Sequence, residues 1–95
     1  MKIFIYSFRR LTAKQQTALR RDLTGWDKVV KEQGVPRVEH VPGLLDGIEG
    51  WEKLAPRTYL IPDEHAGRVR GLFRKIGLTW RELEVREVEG GEEYG

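Results

Sequence analysis

Cysteine and asparagine are absent from this chain, methionine occurs only at position 1, and serine only at Ser7. Without thiols there can be no disulfide staples, thiolate zinc sites or cysteine nucleophiles. A single serine beside two histidines, His40 and His65, offers little from which to build a nucleophilic dyad. Long hydrophobic runs are missing as well. No segment approaches the ~18 apolar residues that cross a bilayer. Lys2 leads straight into Ile3-Phe4-Ile5-Tyr6, with none of the apolar stretch and small-residue cleavage site of a secretion signal. The expectation is a cytoplasmic protein that does not enter the membrane, cellular or virus-encoded.

The missing heat-labile residues have a counterpart in what is present: eleven arginines to six lysines, a composition that points to a thermophile. Ninety-five residues suit one domain. A chain this short buries a thin core, so a shallow surface function or a site shared with a second copy is expected over a deep active site. Charge is unevenly spread. Residues 1–80 carry 15 basic and 9 acidic side chains, whereas residues 81–95 carry two arginines and six glutamates. A basic body with an acidic end suggests polyanion binding or charge-regulated association.

Along the chain, residues 2–8 alternate Ile3, Ile5 and Ser7 against Phe4, Tyr6 and Phe8, a strand with two apolar faces. Thr12-Ala13-Lys14-Gln15 has the capping-box form, and Leu19, Leu23, Trp26 and Val30 follow at helical spacing. That predicts a helix reaching Gly34, interrupted at Thr24-Gly25, where Thr24 and Asp27 could start a second short helix. Residues 35–41, between Pro36 and Pro42, read as a short or edge strand. The glycine-rich stretch 43–56 reads as a helical turn in a mobile connection. Arg57 to Ile61 is a second strand. Asp63 is placed to cap a helix through Ile76 that Gly77 closes, and Leu78 to Val88 forms a last strand. The acidic residues 89–95 form a frayed tail beyond a single domain of residues 1–88. This order predicts an α+β, ferredoxin-like βαββαβ fold, a four-stranded antiparallel sheet with two helices on one face.

Two surfaces stand out. On the second helix Gly67, Gly71, Arg70 and Arg74 gather opposite the apolar stripe, beside Lys75 and Arg68. Exposed helical glycines cost about 1 kcal/mol each against alanine, so they suggest close approach of another backbone, with arginine supplying forked donors. If both helices cover one sheet face, Lys14, Arg21 and Lys28 join Arg70 and Arg74 in a basic layer. The second surface is the stripe Phe4, Tyr6, Phe8, flanked by Lys2 and Arg10, which could stack bases or be covered by a homodimer partner or by the 43–56 segment with Trp51. Ser7, Arg9, Arg10 and Thr12 could hold an anion at the start of the first helix.

Ile3-Phe4-Ile5-Tyr6-Ser7-Phe8 resembles the shorter motif of RNA-recognition domains in its first positions, but the longer motif is missing: the matching strand reads Arg57-Thr58-Tyr59-Leu60-Ile61. The first strand and chain length are also similar to the small ferredoxin-like nucleases of CRISPR adaptation. Those end the strand in a metal-binding aspartate, where Ser7 or Phe8 stands here. Nuclease chemistry is therefore not implied. Asp63-Glu64-His65 reads as an acidic helix start before it reads as a metal or acid–base cluster. No catalytic group, cofactor or metal is called for. The leading expectation is a small non-catalytic module binding nucleic acid through its basic helix face. The alternative is a protein-interaction regulator, such as a virus-encoded inhibitor docking on a host enzyme, and either could be a homodimer.

Overall fold

A computed structural model describes residues 1–86. The elements run β1 (Lys2–Tyr6), α1 (Ala13–Thr24), β2 (Trp26–Glu32), β3 (Val35–Val41), β4 (Glu52–Ala55), β5 (Thr58–Ile61), α2 (Ala66–Ile76) and β6 (Trp80–Glu84). Short 3-10 turns at Leu44–Gly47 and Asp63–His65 precede β4 and α2. The larger sheet has the order β4-β5-β1-β6, every neighbour antiparallel, while β2 and β3 pair only with each other.

The expected ferredoxin-like βαββαβ is therefore corrected. The described residues form six strands in two sheets, not four in one. The difference lies between residues 26 and 41 and at Glu52–Ala55, a strand of the larger sheet where a helical turn in a mobile connection was expected. Trp26 and Val30 were expected on a helical stripe, yet Trp26–Glu32 is a strand whose partner is Val35–Val41. Gln33 and Gly34 both take positive φ, 52° and 80°, the backbone of a two-residue type I′ hairpin. Adjacent valines at 29 and 30 favour the strand locally, and the Gln-Gly turn lets the two runs meet. Thr24 caps no second helix: its hydroxyl donates to the Arg20 carbonyl at 2.8 Å and closes α1.

Where the ribbon leaves the body the backbone is tightly crossed. Gly25 ends α1 at φ 78°, and a Cβ there would lie 2.3 Å from the Val41 carbonyl oxygen. A Cβ on Gly43 would meet the Gly25 nitrogen at 2.3 Å. No larger residue fits either position without moving a backbone, so the glycine pair sets where the ribbon departs.

The core lies between the large sheet and the two helices. Phe4 and Tyr6 point into it, against Leu19 and Leu23 of α1 and Val69 and Phe73 of α2. Five aromatic rings run across it in contact: Trp51 on Tyr59 at 6.1 Å, Tyr59 stacked on Tyr6 at 6.2 Å, Tyr6 edge-on to Phe73 at 5.3 Å, and Phe73 edge-on to Trp80 at 5.6 Å. Burial holds the Tyr6 hydroxyl neutral far above its ordinary range.

The local signals at the helix ends are met. The Gln15 amide donates to Thr12 Oγ1 at 3.1 Å, and the Thr12 amide donates to Gln15 Oε1 at 2.9 Å. At the end of α2, Gly77 is left-handed; its N–H donates to the Arg74 carbonyl and that of Leu78 to the Phe73 carbonyl, a Schellman closure. Segment 43–56 is not a free connection. Leu45 and Ile48 are buried in the core, and its last residues form edge strand β4. Asp63 does not cap α2; its carboxylate instead receives the N-terminal ammonium at 3.0 Å. The final strand ends at Glu84 within the described residues, and the acidic tail lies outside them.

Candidate functional site

The α2 face does not keep Arg70 free. Arg70 donates from Nε and Nη2 to the two carboxylate oxygens of Glu82, the latter at 2.8 Å, and Trp80 Nε1 donates to the same carboxylate at 3.1 Å. Glu82 pairs with Phe4 across β6 and β1, so it faces the helices, where Arg70 of α2 meets it. This bidentate pair is a structural clasp. Arg74 lies 6.0 Å from the centre of the Trp80 ring. Gly67 and Gly71 are exposed, and a Cβ at either would meet nothing within 4 Å. Lys75 is exposed in the last turn.

The clasp should be visible in acid. Arg70 holds the Glu82 carboxyl down to about 2, below its ordinary 4.5. A depressed carboxyl contributes stability that is present above the unfolded value and lost as pH falls through the folded one. Urea melts should therefore show Glu82→Gln less stable than the parent above pH 4.5, with the gap closing between there and pH 2. A gap that is constant over that window would mean the pair adds nothing pH-linked.

The expected aromatic surface is also corrected. Phe4 and Tyr6 are core residues, 0% and 6% exposed. Phe8 is half-buried against Tyr6 with the Arg57 guanidinium 5.8 Å from its ring centre, and Trp51 packs on Tyr59. The two alternating sets in β1 are both apolar, and the helices cover the aromatic one. The uncovered side of the sheet carries Ile3, Ile5, Leu60 and Leu83.

Lys28, expected in the helical basic layer, sits on the ribbon beside Glu39 at 3.8 Å. At the ribbon base, His40 Nδ1 lies 2.9 Å from Asp27 and Nε2 3.0 Å from Asp46, whose carboxylate also receives the Gly43 amide at 2.7 Å. Asp46 first, and then Asp27, hold His40 protonated above the ordinary imidazole range. The cluster ties ribbon to body. His65 is 3.7 Å from Glu64, and among the described residues no group of three His, Asp or Glu is placed to hold a metal ion.

Of the basic layer, Arg74 stays exposed on α2 without an ion pair among the described residues, but the longer unpaired run is on α1 and the loop before it. Leu19 and Leu23 fix the inward stripe of α1, which turns Lys14, Thr17, Ala18 and Arg21 directly outward. These four, with Asp22 and Trp26, line an open groove of about 520 Å³. At its far end the Arg21 guanidinium stacks 4.2 Å above the Trp26 ring. Leading into the helix, the Ser7–Leu11 loop is held by the Arg9 amide donating to Ser7 Oγ and the Leu11 amide to the Phe8 carbonyl. Ser7, Arg9, Arg10 and Leu11 form one wall of a second cavity of about 290 Å³, with Gly77–Thr79 opposite.

Little acidic offsets this region: the one carboxylate lining the groove is Asp22. The first turn of α1 contains no carboxylate, although helix dipoles favour one there, and the capping box is completed by neutral Gln15. Arg9, Arg10, Lys14, Arg20 and Arg21 form no ion pair among the described residues. The signal was present in the sequence: Met1 to Arg21 contains six basic residues and no acid, the first being Asp22. Compared with family models, characterised proteins and solved structures, the chain matches none.

Proposed function

We propose that the chain binds an extended polyanion, nucleic acid above all, along the outward face of α1 and the loop that precedes it. The observation that supports this reading is the run of five basic side chains from Arg9 to Arg21, free of ion pairs among the described residues, on one loop and one helix. Lys14 and Arg21 are two helical turns apart, about 10 Å along the axis, a reach suited to successive backbone phosphates. The Trp26 ring beside them offers an apolar plane for a base, and Arg21 above it can turn to a phosphate. The role first expected of Arg70 passes to α1, because Arg70 is engaged by Glu82.

Fluorescence titration with short single- and double-stranded oligonucleotides between 50 and 200 mM salt tests this. Log K should fall linearly with log salt, with a slope near −0.9 per phosphate neutralised on a duplex and about −0.7 on a single strand. With single strands, Trp26 emission should quench on stacking, and Trp26→Ala should remove that quench. Absence of binding even at the lowest salt would overturn the reading.

A second reading, a protein-interaction module, draws on the ribbon, where Val29, Val35 and Val38 are 68%, 65% and 67% exposed. It predicts salt-tolerant association that survives loss of the α1 charges.

A further inference from the structure

The ribbon formed by β2 and β3 is unusual in what it leaves uncovered. Every residue from Lys31 to Val38 is exposed, and the two strands are bonded only to each other. An isolated two-stranded hairpin is at best marginally stable in water, because neither face is packed. The two faces differ in character. One presents Trp26, Lys28, Val30 and Glu32 beside Val41, Glu39, Arg37 and Val35. Its charges are satisfied within the chain: Lys28 with Glu39 at 3.8 Å, and Arg37 with Glu39 at 2.7 Å and Glu32 at 3.4 Å. The other has the exposed Val29–Val38 pair at its centre, Lys31 and Pro36 towards the tip, and Asp27 and His40 towards the base.

We propose that a second copy of this chain packs on that face, ribbon against ribbon, about a two-fold axis through the Val29–Val38 pair. The occupant follows from the charge pattern. Lys31 and Asp27 lie two residues either side of Val29, and Pro36 and His40 two residues either side of Val38. A two-fold at the centre brings Lys31 of each copy opposite Asp27 of the other, and Pro36 opposite His40, which is the reciprocity an isologous contact requires. The base also carries Asp46, so Asp27, His40 and Asp46 together present net negative charge to an arriving lysine. Over residues 26–41 three basic and three acidic side chains balance, and Asp46 at the base offsets the charge on His40, so two ribbons do not repel. A polyanion would gain nothing from such a balanced surface, whereas the α1 face stays clear of it.

Face-to-face ribbons would stack about 10 Å apart, with the valines interdigitated. Three apolar side chains per copy are fewer than a standard interface of about 800 Å² per partner contains, so the dimer should be weak and concentration-dependent, with Kd in the micromolar range or above.

Sedimentation velocity of the full chain, from about 10 μM upward in a concentration series spanning that Kd range, tests the proposal. The parent should shift from monomer to dimer, and Val38→Asp should remain monomeric with unchanged circular dichroism. Lys31→Asp and Asp27→Lys should each lose association alone, since each sets like charges opposite one another. Mixed in equal amounts they should recover it as a heterodimer. A parent monomeric at every concentration, a Val38→Asp variant that dimerises as the parent does, or a mixture that fails to associate would each overturn the proposal. Oligonucleotide binding through α1 is read separately and can fail or hold independently of these outcomes.

Discussion

Changing Lys14 and Arg21 together to glutamate is expected to abolish oligonucleotide binding at moderate salt and to leave the fold intact. Both side chains are exposed and neither belongs to an ion pair among the described residues, so their replacement leaves no buried partner uncompensated. A hydrogen bond to a charged group contributes about 1.5–3 kcal/mol. Losing two phosphate contacts should therefore cost about a hundredfold or more in affinity, and the introduced carboxylates add repulsion. The slope of log K against log salt on duplex should shrink by about two units. Arg70→Glu is the informative contrast. It sets a second carboxylate beside Glu82, so it should lower stability while leaving the α1 face able to bind. Equal affinity and equal salt slope in parent and Lys14→Glu/Arg21→Glu would remove α1 as the binding face.

Phe73→Ala should be the most damaging single core substitution. Its ring is fully buried and touches Phe4 at 5.9 Å, Tyr6 at 5.3 Å and Trp80 at 5.6 Å, so it joins the aromatics of central β1 and edge β6 to α2. Removing a buried phenyl costs about 3–5 kcal/mol, transfer and cavity together. A domain of this size has about 5–14 kcal/mol in all. The melting temperature read by near-ultraviolet circular dichroism should therefore fall by roughly 15 °C or more, at about 4–8 °C per kcal/mol. Phe8→Ala, half-buried just past the end of β1, should lose clearly less. A Phe73 variant within about 1 kcal/mol of the parent would mean that the ring does not pack as described.

The contrast between these two residues shows how far the amino-acid order could be read. Phe73 belongs to a stripe on α2 whose spacing places it inward whatever the helix packs on. The capping box at Thr12, the closure at Gly77 and the strands at residues 2–6 and 58–61 were legible for the same reason: each depends on neighbours within about four positions. The ribbon was hidden because Leu19, Leu23, Trp26 and Val30 continue a helical rhythm across Gly25. What overrides that rhythm is a partner strand up to fifteen residues away.

The candidate site divides along the same line. A basic stretch ending at Asp22, a helix start without acid and an outward Lys14–Arg21 stripe are properties of contiguous residues, and the sequence alone determined them. Which arginines stay available was decided only in three dimensions. Arg70 and Glu82 are twelve residues apart and meet because antiparallel pairing with β1 turns Glu82 towards α2. The same packing chose which side of β1 to bury, covering Phe4 and Tyr6 and leaving Ile3 and Ile5 on the open side. Hydrogen bonding and helix periodicity act over a few residues, and burial and ion pairing act between elements. Only the assembled sheet and helices could therefore separate a free arginine from one already held.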